Sequence, residues 1–240
     1  MEDSVQTFFL CGDVMTGRGI DQILPTPSDP ALFEPYVTDA RDYVNLAARC
    51  HGPIDWPTSF EHIWGDALSE LAQSRPKLRL VNLETSITTA ARPWPGKCVH
   101  YRMHPNNVQC LRAAGIDVCA LSNNHTLDWG RQGLAETLAT LRDANIACAG
   151  AGRTLAKAKQ PAIVTLANGH RVLVFSCALA SSGIPETWAA ADNGSGLFLL
   201  PGLDARSLDI LRDQIQAWKK PGDMVILSIH WGSNWGYELA

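Results

Sequence analysis

A chain of 240 residues with 46% hydrophobic composition can bury a proper core, and a single domain over 1–240 is the default expectation. Its formal net charge of -4, with 18% charged residues and no basic stripe, argues against nucleic acid as a partner. No apolar run is long enough to cross a membrane. The acidic start Met1-Glu2-Asp3-Ser4 argues against a secretory signal, so a cytoplasmic setting is expected.

Seven cysteines with no Cys-x-x-Cys pair fit neither a disulfide framework nor a zinc–thiolate site. Cys11, Cys119 and Cys177 lie in strand-like runs, where a reduced thiol packs as a small hydrophobe. In chain order, Val5 to Cys11 reads as a strand that exits at Gly12-Asp13. Pro25, Pro27, Pro30 and Pro35 mark loop, and a weak helical pattern from Tyr36 to Arg49 stops at His51-Gly52-Pro53. Phe60, Ile63, Trp64, Ala67, Leu68 and Leu71 recur at three and four, one stripe of an amphipathic helix with Ser59 as cap and Pro76 as stop. Leu78 to Glu84 reads as the second core strand. Pro93-Trp94-Pro95-Gly96 is a turn, Val99 to Met103 a short strand, and Pro105 opens a short helix that Gly115 closes.

Ile116 to Leu121 is the third core strand, and the helix starting near Gly130 carries Leu134, Leu138 and Leu141 on one face. After a short strand at Ile146 to Ala149, Ala162 to Ala167 and Arg171 to Ala178 flank Asn168-Gly169, a hairpin signature of type I′. A loop covers Ser181 to Gly196. Leu208, Leu211, Ile215 and Trp218 build the last helix, which stops at Pro221-Gly222, and Met224 to Ile229 is the final strand. Strands alternating with helices give an α/β class, and the hairpin makes its sheet mixed. The chain halts at Ala240, a few residues past a strand without its crossover, so a C-terminally truncated fragment is expected.

Polar clusters close four of the apolar runs: Cys11-Gly12-Asp13, Val81-Asn82-Leu83-Glu84, Ser122-Asn123-Asn124-His125 and Ser228-Ile229-His230. Ligands of open α/β sheets bind at the carboxyl ends of strands. Parallel neighbours would therefore bring Asp13, Asn82, Glu84, Asn124, His125 and His230 to one edge. Asn82 and Glu84, with Leu83 between, point to the same face. Each cluster alone has a plain structural reading: Asp13 as a turn former, the asparagines as caps, His230 as a core histidine. Four strand ends presenting ligand-type side chains favour a divalent cation held by Asp13, Asn82, Glu84, Asn124 and His230. Carboxylate, amide oxygen and imidazole suit Mn²⁺, Zn²⁺, Fe²⁺ or Mg²⁺, an ion that makes hydroxide from bound water. The catalytic candidates are His125, placed to protonate a leaving group, Asp128, and Arg18, placed to steady an anionic substrate bidentately. Trp129, Trp231, Trp235 and Tyr237 are candidates to wall the pocket.

Gly12-Asp13-Val14-Met15-Thr16-Gly17-Arg18, Asn82-Leu83-Glu84-Thr85, Ser122-Asn123-Asn124-His125-Thr126-Leu127-Asp128-Trp129-Gly130, and His230-Trp231-Gly232 with Tyr237-Glu238 occur in this order over nearly the whole chain. This series resembles the CapA-type capsule and poly-γ-glutamate biosynthesis family, a branch of the calcineurin-like metallophosphoesterase superfamily. The resemblance implies a metallophosphoesterase-like α/β/β/α sandwich, with a metal held by Asp13, Glu84, Asn124 and His230 and with His125 as acid. Where phosphoesterases open with Asp-x-His, Asp13-Val14-Met15 has no imidazole, and no Gly-His-x-His follows in these residues. Three classes of function remain: a metal-dependent hydrolase acting on a phosphoester or on another anionic substrate such as a poly-γ-glutamyl chain; a non-catalytic module that grips an anionic polymer; and an α/β domain whose polar strand ends are only caps and turns.

Overall fold

The computed structural model describes residues 5–233, a mixed α/β chain with several small sheets. Trp235, Tyr237 and Glu238 lie outside the described residues. The chain divides into two compact units, one of residues 1–117 with 125–146, the other of 118–124 with 147–240.

In the first unit, β1 (Phe9–Val14) and β2 (Arg79–Leu83) pair in parallel. The expected exit at Gly12-Asp13 is instead a bulge. Cys11 faces Val81 and Asp13 faces Asn82, so Gly12 is the extra residue and the strand runs on to Val14. Bulges re-aim side chains, and this one sets Asp13 opposite Asn82. Helices α1 (Gly19–Ile23) and α2 (Arg41–His51) follow, the second starting later than its weak pattern suggested. The apolar stripe from Phe60 to Leu71 does not form one helix capped by Ser59. Gly65 adopts φ 50°, ψ -133°, a conformation that L-residues avoid. The stripe is thereby split into a 3₁₀ turn (His62–Trp64) and α3 (Ala67–Ser74).

Two-residue strands β3 (Ser86–Ile87) and β4 (Arg102–Met103) pair in parallel. Pro105 opens a 3₁₀ turn that runs into α4 (Gln109–Ala113), as the Pro/Gly punctuation indicated. The long α5 (Gly130–Asp143) buries Gly133, Leu134, Thr137 and Leu141. Burying each such leucine contributes about 1.5–3 kcal/mol. The helix is also pinned to β3 by Thr137, whose hydroxyl accepts from Ile87 N at 2.9 Å and donates to Gly133 O at 2.9 Å.

The second unit holds β5 (Val118–Ala120) parallel to β6 (Ala147–Ala149), and β7 (Ala151–Gly152), followed by α6 (Leu155–Lys159). The hairpin is present: β8 (Ala162–Thr165) runs antiparallel to β9 (Arg171–Leu179). Its turn is not type I′, which needs positive φ at both central residues. Only Gly169 has it, and Gly169 N donates to Leu166 O at 2.9 Å, a turn ending in a left-handed glycine.

Short strands β10 (Gly196–Leu197) and β11 (Leu199–Leu200), not legible in the sequence, add to β7 and β9 respectively. Helix α7 (Ala205–Trp218), capped by Asp204, buries Leu211, while Leu208 of the expected stripe is 63% exposed. The final strand β12 (Met224–His230) runs parallel to β9, which is thus flanked by β8, β11 and β12. Among the described residues, no helix is long and apolar enough to cross a membrane.

Candidate metal centre

In the first unit the carboxyl ends of β1 and β2 deliver Asp13, Asn82 and Glu84 together. Asn82 Nδ2 donates to Asp13 Oδ1 at 2.6 Å, a contact that the bulge makes possible. Glu84 follows β2 directly and is fixed by its own N–H, which donates to Val14 O at 3.0 Å. Ligand oxygens of Asp13 and Glu84 come within 4.8 Å of each other. Burial pushes the Glu84 carboxyl up to about 7, and the negative charge of Asp13 adds to the effect, partly opposed by Lys97. Two carboxylates so placed form a cation-seeking pair, and their hard oxygen donors fit a divalent ion.

Beside this pair stands a second group in the same unit. Residues 125–129 form consecutive turns, with Asp128 N donating to His125 O at 3.3 Å and Gly130 N to Leu127 O at 2.8 Å, before α5 begins. This winding brings Asp128 Oδ2 to 2.7 Å from His125 Nδ1. The other carboxylate oxygen of Asp128 forms an ion pair with Lys97 Nζ, which also lies 3.1 Å from His125 Nδ1. Tyr101 N donates to Asp128 Oδ2 at 2.6 Å, and the Tyr101 ring stacks on the imidazole with centroids 3.8 Å apart and planes 17° from parallel. Burial lowers the His125 pKa more than Asp128 raises it, so the ring is neutral near pH 7. Burial likewise lowers the pKa of Lys97, against the pull of Asp128.

Arg18 meets a carboxylate of its own unit. Its guanidinium pairs with buried Glu34 at 2.6 Å and lies 4.9 Å from the ring centres of both Tyr43 and Tyr101. Tyr43 Oη donates to the other Glu34 oxygen at 2.6 Å, and burial first, then this carboxylate, pushes the phenol up to about 12. Trp129 is buried packing, its Nε1 donating to Tyr101 O at 3.1 Å, whereas Trp231 is 57% exposed.

In the second unit, Asn124 follows β5 and His230 ends β12. Asn124 Oδ1 and His230 Nε2 are 3.1 Å apart. The expected site residues thus fall in both units: Asp13, Arg18, Asn82, Glu84, His125 and Asp128 in one, Asn124 and His230 in the other. Sequence reasoning did not single out Lys97, Tyr101 or Glu34. Lys97 and Tyr101 sit in a loop with no periodicity, and Glu34 in a proline-rich one. No sequence signal marks them.

The geometry defines a mixed α/β protein with a carboxylate pair beside a His–Asp–Lys cluster. The chain belongs to the family described as Bacterial capsule synthesis protein PGA_cap, which it matches over residues 7–240, across both units. A "Probable polyglutamine synthesis accessory protein" of Mycobacterium tuberculosis is 48% identical over 237 residues, 98% of this chain and 62% of the relative. The "PGA biosynthesis protein CapA" of Bacillus subtilis is 23% identical over 97% of this chain and 50% of its own length. The "Capsule biosynthesis protein CapA" of Bacillus anthracis is 25% identical over 98% and 48%. The chain therefore spans less than two thirds of the length of these curated relatives.

Proposed function

We propose that this chain is a metal-dependent hydrolase of the capsule and poly-γ-glutamate biosynthesis type, acting on a phosphoester or another anionic substrate, with the α/β/β/α sandwich of the metallophosphoesterases as its frame. The observation that carries the reading is the Asp13–Glu84 pair, with ligand oxygens within 4.8 Å and one carboxyl pushed up to about 7. Ionising the half-buried Glu84 beside the exposed Asp13 carboxylate is costly unless a cation offsets the two charges. Asp13 and Glu84 would hold the ion, and Asn82 would orient Asp13. A bound divalent cation would polarise the substrate and lower the pKa of bound water.

The chain's own residues supply the rest. His125 is neutral at rest, with Nδ1 turned to Asp128. It can therefore take a proton at Nε2 and return it to a leaving-group oxygen, the work of a general base and then an acid. Tyr101 covers one face of the imidazole and keeps water from it. Arg18, paired with Glu34 and lying against the Tyr101 ring, supports Tyr101 in this reading.

A second reading, a non-catalytic module that grips an anionic polymer, is favoured by the mycobacterial relative's description as an accessory protein and by the missing imidazole at Met15. Turnover of chromogenic phosphomonoesters and phosphodiesters by the Mn²⁺- or Zn²⁺-loaded protein separates the two. The hydrolase reading expects turnover that falls at least about a hundredfold in His125→Ala, the usual size of an acid–base contribution. Metal binding and poly-γ-glutamate binding without any turnover would give the field to the second reading.

A further inference from the structure

We propose that Lys97 is a positioning residue for His125, acting through Asp128: its ammonium occupies one carboxylate oxygen, so that the other holds the imidazole by Nδ1. The importance of this role rests on the hydrolytic reading above, but the geometry does not. The Lys97 side chain is 18% exposed and pairs with an Asp128 side chain that is fully buried. Asp128 has one oxygen on Lys97 and the other shared between Tyr101 N at 2.6 Å and His125 Nδ1 at 2.7 Å. Lys97 and Tyr101 come from the same loop, which is itself tied down: Trp94 N donates to Asp128 O at 2.7 Å, and Tyr101 O accepts from Trp129 Nε1 at 3.1 Å. One loop thus fixes the imidazole on its Nδ1 edge and on one face.

The contact at 3.1 Å between Lys97 Nζ and His125 Nδ1 sharpens the consequence. A carboxylate at Nδ1 requires a proton there, whereas an ammonium requires a lone pair. While Asp128 takes the charge of Lys97, the carboxylate prevails and the Nδ1–H tautomer is selected. The Nε2 lone pair is then the one that meets a ligand. Should Asp128 lose its charge, Lys97 would become the better partner of Nδ1 and the proton would move to Nε2. Second-sphere partners of this kind commonly set which imidazole nitrogen does the chemistry.

The test is a two-bond ¹H–¹⁵N correlation spectrum of the ¹⁵N-histidine-labelled full chain, with His125 assigned from His125→Gln. The wild type is expected to show a single Nδ1–H tautomer and ring protons shifted upfield by Tyr101. In Lys97→Met those ring shifts are expected to be lost, and in Lys97→Arg they are expected to return. A wild-type His125 pattern in Lys97→Met would overturn the proposal, because a lysine that only packs is replaced by methionine without effect on a neighbouring ring. If Lys97→Met does not fold, Asp128→Asn decides the matter: reversal to the Nε2–H tautomer supports the proposal and an unchanged tautomer overturns it. None of these signals depends on turnover, so an inactive protein would refute the hydrolase reading while leaving this one to be judged by its own spectra.

Discussion

Replacing Glu84 by glutamine keeps the volume of the side chain and removes its charge. In the folded chain the Glu84 carboxyl is pushed from 4.5 up to about 7, first by burial and then by Asp13. Ionising it there costs on the order of 3 kcal/mol at full strength. Part of the group meets solvent, and screening reduces the cost to ~1–2 kcal/mol. Because the folded pKa lies above the unfolded one, the metal-free protein keeps this stability below about 4.5 and loses it as pH rises through about 7.

Glu84→Gln is exempt from that loss. Between pH 5 and pH 8 the melting temperature of the chelator-dialysed wild type should therefore fall relative to Glu84→Gln by roughly 2–8 °C, at about 2–4 °C per kcal/mol for a chain of this size. Thermal unfolding followed by circular dichroism reads this directly. A divalent cation at a hundredfold excess over its dissociation constant should restore about 2.7 kcal/mol to the wild type at pH 8 and nothing comparable to the variant. Melting temperatures of wild type and variant that keep the same separation at both pH values would refute the electrostatic account of the pair.

Two further changes probe the supports of the site. Thr137→Val leaves the buried Ile87 N–H without its acceptor; it should cost about 1–3 kcal/mol in urea unfolding, and a change below about 0.5 kcal/mol would show that α5 is held by packing alone. Tyr43→Phe removes a donor from the buried Glu34 carboxylate that also pairs with Arg18. A hydrogen bond to a charged group contributes about 1.5–3 kcal/mol, so urea unfolding should show a loss of that size, and an unchanged midpoint would mean that Arg18 alone satisfies Glu34.

The sequence is most informative where a polar residue closes an apolar run. Asp13, Glu84, Asn124, His125 and His230 stand out because ligand-type side chains recur where separate apolar, strand-like runs end. What they meet is set by details with no periodic signature. The bulge at Gly12 places Asp13 opposite Asn82, a one-residue offset that hydrophobic alternation does not encode. Lys97 and Tyr101 reach His125 from a loop, and a lysine in a loop looks like any solvated charge. The stripe from Phe60 to Leu71 has helical spacing throughout, yet one glycine at positive φ divides it. Leu208 keeps the period of α7 but lies outside its buried stripe, which α7 fills with Ser207 and Leu211. The division into two units escapes a linear reading because the chain passes between them at 117/118, 124/125 and 146/147.

The central claim is that Asp13 and Glu84 hold a divalent cation, and its most direct test is metal content. Wild type, Asp13→Ala and Glu84→Ala would be stripped with chelator, dialysed against Mn²⁺ or Zn²⁺, and analysed by plasma mass spectrometry, with circular dichroism to verify the fold. The account predicts stoichiometric metal in the wild type and its loss from both variants while their folds persist. Equal metal in all three, or none in the wild type, would contradict it.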